Sequence, residues 1–320
     1  MSLFIAEFNE SVIQMFMWKS SARSYARRAR RRGFAATIGE KQSNWLMLGG
    51  RYGVTLEKQQ GTPVAVAVEI PDFDANKFSP ALSTRRSPRA VCIGWNEVDP
   101  RYYNGWRGTL ADCEMDADNC TAGFRSLGIP TALLTTFDAP RDVCRAAMHK
   151  AMEGMQPKDL LIVSVSGHGG QQRDKDGDES DGMDEYLCAP DGPVLDDTIF
   201  EWLNDVPEGV RILWICDTCN SATMVRSAAG PVVFRDEAIP AGFKGELILL
   251  AGCADGKSSL STGTGGQWTN SLMAMGPADK SPRRLFDDAA AYMQLTYGGQ
   301  VSAFTTYKAS EEFKHERLIT

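Results

Sequence analysis

Val163-Ser164-Val165-Ser166-Gly167-His168-Gly169-Gly170 decides the fold of this chain. The apolar run Leu160 to Val165 is short, rich in Val, Ile and Leu, and ends at a polar turn, which predicts a buried strand of a parallel sheet. A second run of this kind, Ile212 to Ile215, lies just before Cys219, which follows His168 by 51 residues. Catalytic groups in open α/β sheets gather at the carboxyl ends of such strands.

Two neighbouring strands of this kind would place His168 and Cys219 side by side at one rim of the sheet. An imidazole there can take the thiol proton, and the thiolate can then attack a carbonyl carbon. Cys216 is the alternative nucleophile, but it lies inside the predicted strand. Cys219 is followed by the turn-like Asn220-Ser221-Ala222, where a side chain can be exposed. The sequence therefore predicts a catalytic pair of His168 and Cys219.

Composition limits the class of protein. The chain has 320 residues and is 43% hydrophobic, which suffices for one large domain or two modest ones. No apolar run reaches the roughly 18 residues of a membrane span, and the first residues do not resemble a secretory signal. The eight cysteines lack the spacing of a disulfide framework, so we expect reduced thiols and a cytoplasmic protein. Cys216 and Cys219 form one Cys-x-x-Cys, but without a second pair a zinc or redox site is disfavoured.

Charge is distributed unevenly along the chain. Residues 1–89 hold 14 Lys and Arg against 7 Asp and Glu, whereas the remainder holds 20 against 34. Six arginines fall between Arg23 and Arg32. They are consistent with contact to nucleic acid or anionic lipid, with a solvated helix face, or with docking onto the acidic part of the chain. We favour docking, and we expect neither nucleic-acid binding nor membrane association.

The pattern of elements divides the chain in two. Residues 1–88 form a basic extension of unknown fold, with a helix expected from Glu10 to Arg32. From residue 89 onward, strands alternate with helices, which predicts an α/β fold with a mostly parallel sheet covered on both faces. The expected strands are 90–94, 131–135, 160–165, 211–215, 246–252 and 301–305. The expected helices are 109–127, 140–155, 196–204 and 282–295.

Four motifs, in order along residues 89–305, resemble those of metacaspases. They are Leu110 to Ala117, the histidine loop Ser166 to Gln171 with the acidic stretch after it, Asp217 to Ser221, and Gly266 to Thr269. Asn220, Ala222 and Asp112 depart from the family pattern, which affects loop shape more than chemistry. The resemblance implies a caspase-like three-layer α/β/α sandwich at 89–320, with a p20-like part at 89–225 and a p10-like part at 245–320.

The resemblance also implies a function. Metacaspases are cysteine endopeptidases that cut after Arg or Lys, with carboxylates at the base of the S1 pocket. Motif matching assigns that role to Asp116 and Asp217, lined by Cys113 and Ser166, and the backbone N–H groups of Gly169 and Cys219 to the oxyanion hole. Asp217 also lies two residues before Cys219 on an extended segment, hence on the same side. A carboxylate there suits a guanidinium group.

Calcium is the cofactor that the resemblance implies. Asp174, Asp176, Asp178 and Glu185 fall at positions 1, 3, 5 and 12 of an EF-hand count, but Glu179 occupies the position that needs glycine. Family matching points instead to Asp184, Asp196 and Asp197. A solvated acidic loop is the alternative interpretation.

We therefore expect a monomeric, self-processing endopeptidase, made as a zymogen, whose substrates are proteins or peptides with a basic P1 residue. The self-cleavage candidates in exposed loops are Arg86, Arg226, Arg235 and Lys244. The alternative is a catalytically silent caspase-like scaffold that binds partners or nucleic acid through its basic extension.

Overall fold

The structure is a computed structural model. It describes residues 11–16, 34–40, 52–58, 87–173, 183–218, 232–237, 242–253, 262–298 and 301–319. Four features singled out by the sequence lie outside these ranges: Arg86, Cys219, Arg226 and the acidic loop 174–182.

The strands of the described residues are β1 (Ser11–Phe16), β2 (Phe34–Glu40), β3 (Tyr52–Lys58), β4 (Arg89–Gly94), β5 (Thr131–Thr135), β6 (Leu160–Gly167), β7 (Gly169–Arg173), β8 (Met183–Ala189), β9 (Gly192–Leu195), β10 (Arg211–Thr218), β11 (Val232–Glu237), β12 (Glu246–Ala251) and β13 (Ser302–Tyr307). The helices are α1 (Cys113–Ser126), α2 (Arg141–Met152), α3 (Asp196–Leu203), α4 (Gln267–Met275), α5 (Pro282–Thr296) and α6 (Glu311–His315). None of these helices is both long enough and apolar enough to cross a membrane, as judged over the residues described.

A seven-stranded sheet in the order β11-β13-β12-β10-β6-β4-β5 forms the centre of the fold. Its neighbouring strands run parallel, apart from the antiparallel pair β12 and β13. The prediction of a mostly parallel central sheet is therefore confirmed.

The alternating direction of side chains along the strands explains why helices cover both faces of the sheet, which gives three layers. In β6, Leu161, Val163 and Val165 pack into the cluster that contains α2 and α3. Leu160 and Ile162 pack on the opposite face, with α1, α4 and α5. Because successive side chains of a strand point to opposite faces, a continuous apolar run requires helices on both sides.

The start of α1 differs from the prediction. The helix begins at Cys113 rather than Thr109, because the chain before it is tied to the end of β4. The Leu110 N–H donates to the Asn96 carbonyl at 2.6 Å, and the Asn96 side-chain oxygen accepts from the Glu114 N–H at 3.0 Å. These bonds leave residues 95–112 as a loop beside the site.

The basic extension contains an antiparallel sheet in the order β1-β3-β2. The helix expected from Glu10 to Arg32 is therefore wrong over Ser11–Phe16, where β-branched Val12 and Ile13 favour a strand. Residues 17–33 of that helix lie outside the described ranges. The domain boundary at residue 88 stays a prediction.

Candidate active site

The two strands that carry the predicted catalytic pair are neighbours. β6 and β10 run parallel, and their last registered partners are Gly167 and Thr218. His168 directly follows Gly167, and Cys219 directly follows Thr218 in the sequence. The condition under which the sequence predicted a His–Cys pair at one rim is therefore met, although Cys219 itself lies outside the described residues.

A backbone carbonyl fixes the orientation of His168. Its Nε2 lies 2.9 Å from the carbonyl oxygen of Gly108, which can only accept, so Nε2 carries the proton and Nδ1 is the basic nitrogen of the neutral ring. Burial lowers the pKa of His168, and the bond to Gly108 partly opposes that shift. The ring is therefore neutral near pH 7 and able to accept a proton at Nδ1.

The direction of one peptide group supports an oxyanion hole at Gly169. The His168 carbonyl accepts a hydrogen bond from the Cys188 N–H of β8 at 2.9 Å. In a trans peptide the N–H points opposite to the carbonyl, so the Gly169 N–H points away from β8. It therefore lies outside the ladder of the small sheet β7-β8-β9, on the side away from β8.

The four residues predicted for the S1 pocket come together. Ser166 and Asp217 are registered partners on β6 and β10. The Ser166 hydroxyl donates to Asp116 Oδ2 at 2.7 Å, and Asp116 lies in the first turn of α1. The pKa of the Cys113 thiol is raised by burial and by Asp116, while Ser166 hydrogen-bonds to it. All four side chains are buried.

The start of α4 holds the two acids. The Gly266 N–H donates to Asp116 Oδ1 at 2.8 Å. Asp217 Oδ2 accepts from the Thr269 N–H at 2.9 Å and from its hydroxyl at 2.8 Å. A Cβ atom at Gly265 or Gly266 would overlap Asp116 or Asp217 respectively, so both positions require glycine.

The pocket disfavours negative charge on its acids. The pKa of Asp116 is raised well above its usual value, first by burial and second by the nearby charge of Asp217. The pKa of Asp112, at the head of α1, is raised to about 6, mainly by burial. A cation entering the pocket would reverse this electrostatic cost, because an opposite charge within a few ångströms favours ionised carboxylates.

The three residues predicted to bind calcium are not brought together as the predicted S1 residues are. Asp184 is buried in β8 and accepts from Gln172 Nε2 at 3.2 Å, whereas Asp196 and Asp197 form the first turn of α3. Over the described ranges, with loop 174–182 omitted, no three His, Cys, Asp or Glu side chains are grouped so as to hold a metal ion. The calcium site stays a prediction.

The other cysteines behave as core residues. Cys216 is 1% exposed in β10, with its Sγ 3.3 Å from the Thr218 hydroxyl, which does not suit a nucleophile. Every cysteine within the described ranges is buried.

One self-cleavage candidate is corrected by the structure. Arg235 was expected in an exposed loop, but it lies in β11, and β11 pairs along its length with β13. A protease needs an extended, unpaired segment, so the ladder protects this position. Lys244 is exposed between β11 and β12, and its carbonyl accepts from the Gly209 N–H at 3.1 Å.

Two residues of the site were missed by the sequence analysis. Gly108 supplies the carbonyl that orients His168, and Trp106 packs against the imidazole with ring centroids 4.8 Å apart. The cluster Tyr102-Tyr103-Asn104-Gly105-Trp106 before α1 was a usable signal, because aromatic residues around a tight turn often mark a functional loop.

Comparison with known proteins agrees with this geometry. The mostly parallel sheet with helices on both faces agrees with the predicted caspase-like α/β fold. Residues 88–228 match the family model described as the metacaspase, peptidase C14 domain. Residues 88–228 are therefore similar to the metacaspase peptidase domain.

Individual relatives support the same assignment. Metacaspase-1 of Cryptococcus neoformans is 37% identical over 153 residues, which is 42% of this chain and 32% of the relative. Metacaspase-1 of Arabidopsis thaliana is 34% identical over 37% of each chain. The match thus spans about a third of each of these relatives. A solved structure of a Geobacter sulfurreducens protein is 26% identical, covers 73% of this chain and 98% of its own, and superposes with a TM-score of 0.59.

Proposed function

We propose that this protein is a cysteine endopeptidase that cleaves after Arg or Lys. The observation that carries the proposal is the register of β6 and β10. Ser166 pairs with Asp217 in the acidic pocket, and the next pair, Gly167 with Thr218, ends immediately before His168 and Cys219. On each strand, a residue of the proposed cation pocket therefore lies two positions before a catalytic residue. Ser166 lies before the base His168, and Asp217 lies before the nucleophile Cys219.

His168 and Cys219 perform the covalent chemistry. The neutral imidazole takes the thiol proton at Nδ1, and the thiolate attacks the scissile carbonyl carbon. The Gly169 N–H stabilises the oxyanion, together with the amide of Cys219. The imidazolium then donates its proton to the leaving amine, and water releases the acyl group from Cys219. The bond from Nε2 to Gly108 keeps the ring in the required tautomer throughout.

Asp116 and Asp217 select the P1 residue. A guanidinium group has five donors in a planar fork and can bond two carboxylates, whereas a lysine ammonium acts as a compact charge. Burial and, second to it, the charge of Asp217 raise the pKa of Asp116, and either cation offsets both effects when it binds. An acidic P1 residue would add negative charge to a pocket that already disfavours it, so the proposed enzyme rejects such a residue.

Self-processing follows from this specificity. Basic residues in exposed loops can be substrates for the enzyme that carries them. Of the original candidates we retain Arg86, Arg226 and Lys244. Intact-mass analysis of the active chain, with Cys219→Ala as the control, should show fragments that end in Arg or Lys only in the active form. A single 35.0 kDa species with full activity would contradict this part of the proposal.

Calcium activation remains part of the proposal as an effect outside the catalytic steps. Asp184, Asp196 and Asp197 are not grouped as a metal site over the residues described, and the covalent steps above are assigned to His168 and Cys219. Calcium and a chelator should be compared on the unmodified chain and on Asp196→Ala/Asp197→Ala. Stimulation that disappears in the double variant supports a calcium role for these residues, and equal activity in all four conditions removes it.

The central test uses peptides that release a fluorophore after Arg, Lys or Asp. Cys219→Ala and His168→Ala should abolish cleavage of the Arg and Lys peptides while leaving the melting temperature unchanged, since His168 lies at the rim rather than in the core. Cys216→Ala is the matched cysteine control and should keep most activity. An active Cys219→Ala protein, or a preference for Asp, would refute the proposal.

A further inference from the structure

An aromatic hairpin lies directly before the carbonyl that orients His168. We use this name for residues 98–108. The Val98 N–H donates to the Arg107 carbonyl at 2.9 Å and the Trp106 N–H to the Tyr103 carbonyl at 2.9 Å, which closes the hairpin on itself. The Tyr103 hydroxyl donates to the Ala189 carbonyl at 2.8 Å, and the Asp99 N–H to the Pro190 carbonyl at 2.9 Å. The hairpin is therefore anchored to the segment that follows β8.

This anchoring holds the indole of Trp106 against the imidazole. The two rings are tilted by 54° at a centroid distance of 4.8 Å. Gly108 fits between them: its φ is +52°, and a Cβ there would lie 2.6 Å from Trp106 Cη2 and 3.0 Å from His168 Cδ2. The indole thus packs at the same time on the proposed base and on the residue that orients it.

Much of the same indole remains open to solvent. Trp106 is 46% exposed and Tyr102 is 54% exposed, so this one hairpin holds two of the four exposed large hydrophobic side chains among the described residues. Exposed apolar surface is unfavourable in water, and aromatic side chains on rigid elements commonly serve as binding anchors. A substrate whose carbonyl reaches His168 must place the side chains next to its P1 residue close to this ring.

We infer that Trp106 is a specificity-determining residue that binds an apolar or aromatic side chain adjacent to the basic P1 residue of the substrate. This inference rests on the proposed function, because it takes His168 as the base. An aromatic neighbour of the P1 residue buries the exposed face of the indole, which a glycine cannot do. Stacking of this kind corresponds to a preference of roughly threefold to tenfold in kcat/KM.

The test compares peptides that differ at one position. Two fluorogenic peptides carry Phe or Gly immediately before a P1 Arg, and two internally quenched peptides carry Phe or Gly immediately after it. The quantity of interest is the ratio of kcat/KM for Phe over Gly at each position. The ratio removes any general loss of activity, so a merely structural role of Trp106 would leave it unchanged.

We expect the unmodified chain to prefer Phe at one of these positions, and Trp106→Ala to bring that ratio close to one. Trp106→Phe should keep part of the preference. Tyr102→Ala removes an equally exposed aromatic ring from the same hairpin and should leave the ratio unchanged. If the chain cleaves Arg peptides with no preference, or if Trp106→Ala lowers both rates equally, the inference is wrong while the proposed function stands.

A binding measurement separates the remaining outcomes. The Cys219→Ala chain, with and without Trp106→Ala, is titrated calorimetrically with two pairs of Arg peptides, which carry Phe or Gly immediately before the Arg in one pair and immediately after it in the other. Tighter binding of the Phe peptide of either pair that depends on Trp106 supports the binding role of Trp106 even if no cleavage occurs and the proposed function fails. Equal binding within both pairs, or no binding of any of the four peptides, overturns it.

Discussion

Buried charged side chains lie near both ends of β10, and the two ends differ in the charges that surround them. At the amino end, Arg211 is 1% exposed and its guanidinium is surrounded by carboxylates. Its nitrogens lie 3.5 Å from Glu246, 3.2 Å from Glu312 and 3.1 Å from Glu316. Opposite charges therefore meet within the chain, as expected where a buried charge serves stability.

Near the carboxyl end the charges have the same sign. Asp217 and Asp116 receive hydrogen bonds from hydroxyl and backbone N–H groups of Ser166, Gly266 and Thr269. The charge of Asp217 raises the pKa of Asp116 instead of lowering it. Like charges held together cost stability, and a cationic ligand recovers that cost on binding. The comparison supports a stabilising role for the charges at one end of β10 and agrees with the proposed recognition role at the other.

The largest effect expected from this comparison is on activity, at the carboxyl end. Asp217→Asn keeps an acceptor for Thr269 but removes one of the two charges that meet the P1 cation. We expect kcat/KM for an Arg peptide to fall by a factor that corresponds to roughly 2–4 kcal/mol of transition-state stabilisation, because the charge of the guanidinium is only partly balanced in a buried site. The melting temperature should stay the same or rise, since repulsion with Asp116 is removed.

Steady-state kinetics and thermal unfolding on one preparation check both halves of this prediction. Asp142→Asn, an exposed residue in α2, is the matched control and should change neither quantity. Unchanged turnover of the Arg peptide would contradict the role of the acid pair. A large loss of stability would show that Asp217 serves folding, as Arg211 does.

The amino end should respond in the opposite way. Arg211→Met removes the guanidinium and leaves Glu246, Glu312 and Glu316 facing one another. We expect a loss of about 2–3 kcal/mol in the free energy of unfolding, somewhat below the cost of breaking a fully buried pair because Glu312 and Glu316 are partly exposed. Urea denaturation measures this loss. The folded variant should keep the kcat/KM of the parent. Loss of activity without loss of stability would contradict the role in folding that the comparison gives to Arg211.

Gly266→Ala tests the assignment of the S1 pocket and is expected to lower stability less than Arg211→Met does. The added Cβ overlaps the Asp217 carboxylate, so the start of α4 must shift. We expect about 1–2 kcal/mol of destabilisation from overpacking, with a larger loss for Arg peptides than for peptides with an uncharged P1 residue. Gly276→Ala at the end of α4 controls for the substitution itself, since nothing lies within 4 Å of a Cβ there. Its φ of +69° adds backbone strain but no contact with the pocket.

Six of the seven strands of the central sheet were predictable because they are largely apolar runs of five to eight residues, as in Leu160–Gly167 and Arg211–Thr218. Their order was not, because nothing local specifies which strands pair. The grouping of Asp116, Ser166 and Asp217 was predicted from motifs at strand ends. The His168–Cys219 pair was predicted in the same way and stays a prediction. Gly108 could not be found in this way, since its role depends on a carbonyl 60 residues before His168.

Two errors have physical causes. Ser11–Phe16 was expected to begin a helix that runs to Arg32, whereas pairing with β3 determines its conformation. Arg235 was placed in a loop because Val232–Glu237 is too short to show a period. Its partner β13 comes about 70 residues later, so the strand depends on a long-range contact.

The smallest expected effect is a pH dependence at the head of α1. Burial raises the pKa of Asp112 to about 6, against an unfolded value of about 3.9. A carboxyl whose folded pKa is raised adds stability below pH 4 and loses that contribution as the pH rises through 6. Asp112→Asn mimics the protonated form, so its stability relative to the parent should be higher at pH 7.5 than at pH 4.5, by about 1–2 kcal/mol. Urea unfolding at both pH values, with Asp142→Asn as the exposed control, measures the difference. If the stability difference between Asp112→Asn and the parent is the same at both pH values, the Asp112 carboxyl is solvated. It then does not belong with the buried acids Asp116 and Asp217.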